Sequence, residues 1–277
     1  MRNVCLGCLL VLALPLAAVC ADAAEAEKPA VCAVLGGDIL LGGAVDGRWA
    51  ADEDVAPHLR GGEEYQLFTL TKRIGQATVS KPKQGVEEED PCPWTFRAEI
   101  TPMPEVEEEF VAVNATWDPL PRAPKLESTD QKVYQDLVRD VLQMHRIAKP
   151  KVNITRVVRI DLEGDGTDEV LITATNDRPN RIMAFDPQEG DYSLVLLRKI
   201  VGADVKTVIV AGEFFPQEGD EGEATPNILT IPAVLDANGD GVMEIFVAWK
   251  YHEGNGMDAF EVKGIDVKRI FGSGWGV

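Results

Sequence analysis

One decapeptide constrains this 277-residue chain more than any other feature. Asp161-Leu-Glu-Gly-Asp-Gly-Thr-Asp-Glu-Val170 returns as Asp236-Ala-Asn-Gly-Asp-Gly-Val-Met-Glu-Ile245. Both copies carry oxygen-bearing side chains at positions 1, 3, 5 and 9, with glycine at position 6. That spacing suits a hard cation. Calcium takes about 6–8 oxygen ligands, and a tight loop aims alternate side chains inward while a backbone carbonyl fills a gap. Gly166 and Gly241 permit the positive φ that such a turn requires.

The flanks decide what kind of loop this is. An EF-hand has helices on both sides. Here Val157-Val-Arg-Ile160 leads in and Val170-Leu-Ile-Thr-Ala-Thr175 leads out; the second copy lies between Ile231-Pro-Ala-Val-Leu235 and Ile245-Phe-Val-Ala-Trp249. These short β-branched runs, bounded by Gly, Asp and Asn, read as strands. The pattern resembles the strand-loop-strand calcium motif of FG-GAP (integrin α-like) and VCBS repeats. The resemblance implies calcium ligands at Asp161, Glu163, Asp165, Thr167 (carbonyl) and Glu169. In the second loop it implies Asp236, Asn238, Asp240, Val242 (carbonyl) and Glu244. Glu163 departs from the usual Asp or Asn at position 3 by one methylene, so the first site is expected to be distorted or to bind through water. The resemblance covers roughly residues 150–265 and names a scaffold, not an activity.

The remaining chain is read in order. Residues 1–23 form a signal peptide: Arg2, an apolar run over 4–19, and the small-x-small motif Ala21-Asp-Ala23. The run is shorter than the roughly 20 residues of a membrane span. Export to a periplasmic or extracellular space follows, with lipoprotein anchoring disfavoured because Val19 precedes Cys20. Removal of the signal leaves Cys32 and Cys92, an even pair expected to form one disulfide in an oxidising compartment. A net charge of −19 disfavours nucleic acid and anionic membrane as partners.

The fold class is mainly β, in two β-rich parts separated by one amphipathic helix. Residues 24–117 form an N-terminal β domain, and the Pro-rich segment 118–127 a linker. Residues 128–149 contain the helix, with caps among Ser128, Thr129 and Asp130, and residues 150–277 form the calcium-loop repeat region. Each repeat has three or four strands, the size of a propeller blade, but a propeller needs at least four blades. Either the N-terminal β region supplies further, degenerate blades or the units pack as an open or sandwich-like β domain; the second is favoured because no Asp-rich loop precedes residue 150.

Trp249, Tyr251 and His252 form a candidate ligand edge for a sugar or peptide. His252 and Glu253 are expected on opposite strand faces, which argues against an acid–base dyad. Asn114-Ala-Thr and Asn153-Ile-Thr match glycosylation acceptors. The leading functional reading is a secreted, calcium-stabilised β-repeat protein that binds an unidentified protein or carbohydrate without catalysis. The alternatives are an exported hydrolase using carboxylates near the Trp249–Glu253 edge, and a docking subunit of a cell-surface assembly.

Overall fold

The computed structural model describes residues 30–86, 90–177, 188–216 and 226–276. The expected signal segment, the strand expected over Arg181-Ile-Met-Ala-Phe185 and part of the acidic run at 87–90 lie outside the described residues.

The N-terminal part contains nine strands: β1 (Val31–Gly36), β2 (Ile39–Val45), β3 (Arg48–Ala51), β4 (Glu63–Thr69), β5 (Lys72–Val79), β6 (Lys83–Gln84), β7 (Phe96–Arg97), β8 (Ile100–Thr101) and β9 (Val111–Val113). They form one antiparallel sheet in the order β6-β7-β2-β1-β9-β4-β5-β8, with β3 on β2. Residues 98 and 99 join β7, next to one end of the sheet, to β8 at the other end, so the sheet curls on itself. Inside the curl lie Ala33, Leu35, Leu40, Tyr65, Leu67, Val79, Ile100 and Ala112. Helix α1 (Asp52–Val55) and the turn after it plug the interior with Val55, Ala56 and Leu59.

The C-terminal part is two successive meanders. β10 (Lys125–Glu127) pairs with β11 (Ile154–Ile160), followed by β12 (Glu169–Thr175), β13 (Asp191–Val201) and β14 (Asp204–Phe215) in a five-stranded sheet. β15 (Ile228–Leu235), β16 (Glu244–Tyr251), β17 (Gly254–Lys263) and β18 (Asp266–Gly276) form a four-stranded sheet. Both sheets are buried on two faces, and strand alternation sorts their side chains. Val158, Ile160, Leu171, Val195 and Leu197 meet Val234, Ile245, Val247 and Val262 of the four-stranded sheet. Phe246, Ala248, Met257, Ala259 and Phe271 point the other way, onto Cys32, Val34, Ile39, Leu41 and Val111. Pro232 lies within a register shift between Thr230 and Ala233. Across that irregularity Ile231 and Ala233 fall into opposite cores, although two residues apart.

Among the described residues there are two α-helices, where one was expected. The longer, α2 (Lys132–Met144), covers the outer face of the five-stranded sheet through Tyr134, Val138, Val141 and Leu142. The expectation that a helix separates the two β parts is corrected, because the curled sheet packs directly on the four-stranded one. The layers run α2, five-stranded sheet, four-stranded sheet, curled sheet. The caps also differ. Gln131 is the α2 N-cap and makes no side-chain cap bond, while Ser128 Oγ accepts from Asp130 N at 3.2 Å ahead of the helix.

Candidate metal centre

The two acidic loops occupy the same place in the two meanders. The first joins β11 to β12 and the second joins β15 to β16. Each begins one residue after a strand and places its position-9 glutamate as the first residue of the next.

Four of their internal hydrogen bonds repeat position for position. Asp161 Oδ1 accepts from Gly164 N at 2.7 Å and Oδ2 from Gly166 N at 3.0 Å. Asp236 does the same with Gly239 N at 2.6 Å and Gly241 N at 3.0 Å. Asp165 Oδ1 and Asp240 Oδ1 each accept from the amide two residues on, Thr167 N and Val242 N, at 2.8 Å. Glu169 Oε2 and Glu244 Oε2 each reach back to the position-2 amide, Leu162 N and Ala237 N, at 2.9 Å. The position-6 glycines adopt φ of 85° and 86°, which an L side chain resists.

The segment expected as a linker straps the loops together. Arg122 donates through Nε to Asp161 O, and through Nη2 to Leu162 O at 2.9 Å and Gly241 O at 2.7 Å. Met243 N donates to Leu162 O at 2.9 Å, so the loops also touch directly. Asp236 N donates to Pro119 O at 2.8 Å, and Trp117 Nε1 to Asp236 O at 2.9 Å. The Trp117 ring lies where a Cβ on Gly239 would sit 3.2 Å away.

The loops differ in the charge beside them. Lys199 of β13 is buried, with Nζ 2.9 Å from Glu163 Oε1 and 3.7 Å from Glu169 Oε1. These are ion pairs without an aligned hydrogen bond. Burial pushes the Glu169 carboxyl up; the Leu162 N–H and then the Lys199 ammonium oppose the rise. Beside the second loop stands Glu261, which accepts from Trp49 Nε1 at 3.1 Å and pairs with the exposed Lys263 at 2.9 Å. Burial pushes the Glu244 carboxyl well above the usual range, and Asp240, Asp236 and Glu261 add to the rise.

Position 3 also separates the loops. Glu163 turns to Lys199, whereas Asn238 stays inside its loop, with Nδ2 on Asp240 Oδ2 at 3.0 Å and Oδ1 accepting from Asp240 N at 3.1 Å. Among the described residues no group of three or more His, Cys, Asp or Glu side chains is gathered closely enough to hold an ion. The donor chemistry of the second loop nevertheless fits calcium, because it is all oxygen and a carboxylate retains acceptor capacity beyond one or two N–H bonds. The first loop fits less well, because an ammonium already stands against two of its carboxylates.

The expected disulfide is absent: Cys32 and Cys92 are both free and buried. Cys32 faces the core between the curled and four-stranded sheets. Burial, then the fields of Asp236 and Glu244, push its thiol up to about 12. Cys92 is held elsewhere; its Sγ donates to Gly276 O at 2.6 Å and accepts from Gly276 N at 3.2 Å, pinning the last strand.

The aromatic edge is built against its own sheet. Trp249 and Tyr251 stack with centroids 6.2 Å apart and rings 12° from parallel. Both are half-buried over glycines of β17 and β18: a Cβ on Gly256 or Gly274 would come within 2.2 or 2.4 Å of the Trp249 ring. His252 and Glu253 do not alternate on a strand. They form the turn between β16 and β17, and His252 Nε2 lies 3.3 Å from Glu253 Oε2. The sequon nitrogen of Asn153 donates to Thr175 O at 2.7 Å, and Asn114 Oδ1 accepts from Ala33 N at 2.6 Å. Both amides are used within the fold.

Sequence reasoning missed Trp117, Arg122, Lys199 and Glu261. Lys199 carried a signal, since it follows the apolar run of β13 and begins no turn. No protein-family model matches the chain, nor does any curated protein or solved structure.

Proposed function

We propose that this chain is an exported, calcium-stabilised β-repeat protein that binds another molecule rather than transforming one. The observation that carries the reading is the repetition of one hydrogen-bond lattice at the same junction of two successive meanders. A cation there would neutralise carboxylates that the fold has already buried, Glu244 above all. The oxygens for it are Asp236, Asn238, Asp240, Glu244 and the Val242 carbonyl. Extracellular calcium modules work at about 10⁻⁴–10⁻³ M affinity, which suits a site loaded continuously outside the cell.

The ligand would be a protein or a carbohydrate met on the surface that the loops stiffen. The hydrolase reading draws on one contact, His252 with Glu253. It predicts that an activity survives Asp240→Asn and is lost with Glu253→Gln. The calcium reading is tested by melting the purified protein in EGTA and in millimolar calcium; equal midpoints would refute it.

A further inference from the structure

Resting on that calcium reading, we propose that Lys199 is the built-in cation of the first loop, so that the chain binds one divalent ion, in the second loop, and not two. The argument is topological. β12 and β13 pair with Val170 opposite Arg198, which puts Glu169 opposite Lys199 one step further on. β16 and β17 pair with Ile245 opposite Phe260, which puts Glu244 opposite Glu261 one step further on. Lys199 and Glu261 therefore hold the same position in the two repeats, directly across from the position-9 glutamate. At that position the first repeat carries a cation and the second an anion.

Burial makes the difference count. The Lys199 side chain is 4% exposed, and its ammonium lies against the position-3 and position-9 carboxylates. A buried ammonium is costly unless paired, so it stays with those carboxylates and repels a second cation from the same oxygens. The only cation paired with Glu261 among the described ion pairs is Lys263, whose side chain is 75% exposed and which touches none of the second loop's five expected ligands. Lys263 lies in solvent outside the loop, and the Asp240 and Glu244 carboxylates act on it only through their field, after its contact with Glu261. Glu163 fits this account as well: its extra methylene carries its carboxylate to Lys199, where the shorter Asn238 stays inside its loop.

Isothermal titration of the chelator-stripped full-length chain with calcium chloride tests the assignment. The expected stoichiometry is one, abolished by Asp240→Asn and unchanged by Asp165→Asn. Lys199→Glu is expected to raise it to two, and Glu261→Lys to weaken binding at least tenfold. Terbium supplies a second readout, since Trp117 lies against the second loop. Sensitised emission should appear in the wild type and in Asp165→Asn, and vanish in Asp240→Asn.

A wild-type stoichiometry of two overturns the assignment but leaves the calcium reading standing. So does a single site lost with Asp165→Asn, or a Lys199→Glu protein that still binds one ion. Should Lys199→Glu fail to fold, the wild type compared with the two Asp→Asn variants still decides which loop is occupied. No heat from the wild type and from Lys199→Glu alike sinks the calcium reading itself.

Discussion

Arg122 is where the chain invests most in a single side chain. Its guanidinium donates to backbone carbonyls of both acidic loops, a geometry that needs a planar fork and that a lysine cannot reproduce. Arg122→Ala should destabilise the protein by about 1–3 kcal/mol, because carbonyls of both loops lose charge-assisted partners. Arg122→Lys should recover less than half of that in urea unfolding. Cys32 offers a second test. Its thiol is held up to about 12 by burial and by Asp236 and Glu244, so it stays protonated and unreactive near neutral pH. Alkylation by iodoacetamide should label Cys32 only after unfolding. The sign of the linkage follows. Below pH 9 the thiol is neutral in folded and unfolded chains alike, and its contribution is fully present. As pH rises from about 9 towards 12, the unfolded chain releases the proton first and stability falls, by roughly 4 kcal/mol at most. Tyr65, also raised mainly by burial, acts in the same direction. Urea midpoints between pH 8 and 11 check this; a flat profile would contradict it.

At the scale of elements, β17 and β18 leave glycines under an aromatic lid. Gly274→Ala would set a Cβ 2.4 Å from the Trp249 ring and 2.8 Å from Asn255 O, so the ring or the strand must move. A loss of about 1–3 kcal/mol is expected, measurable by thermal melting together with a change in near-UV circular dichroism. An unchanged melt would mean that Trp249 is free to leave, as a ligand-stacking side chain would be. Much at this scale was legible in advance. The period-2 and continuous apolar runs give β1, β2, β4 and the strands flanking both loops, and the loops themselves follow from spacing. The failures have physical reasons. β3, β6 and α1 are too short to show a period. The run from Thr95 to Ile100 looks like one strand but serves two strands far apart in the sheet order, β7 and the edge strand β8, which no local pattern records. Prolines at 119, 121 and 124 signal extended backbone, yet not that it would be strapped across two loops. The Cys32–Cys92 pairing was inferred from parity and compartment, and neither carries the distance and direction that decide a bridge.

For the whole molecule, the layers share cores. The core between the curled and four-stranded sheets joins residues from both ends of the chain, from Cys32 and Val34 to Phe271. Thr95 Oγ1 also donates to Gly274 O at 2.8 Å, and Ser273 Oγ to Asp52 Oδ2 at 3.0 Å. The two β parts should therefore unfold together, with tryptophan fluorescence and far-UV circular dichroism tracing one transition. Phe246→Ala, at the centre of that core, should cost about 3–5 kcal/mol and shift both signals equally. Two separated transitions would contradict the shared core. On the proposed reading, which loop a metal enters would be a property of this whole packing, because Lys199 and Glu261 come from strands outside the loops.

The most direct test of the account is the melting temperature of the ion-stripped protein against calcium concentration. With a site of about 10⁻⁴ M affinity, 10 mM calcium stabilises the folded state by roughly 2.7 kcal/mol, a rise in Tm of roughly 5–10 °C for a chain of this size. The rise should be lost in Asp240→Asn and kept in Asp165→Asn. A Tm that is the same in EGTA and in 10 mM calcium would contradict the account.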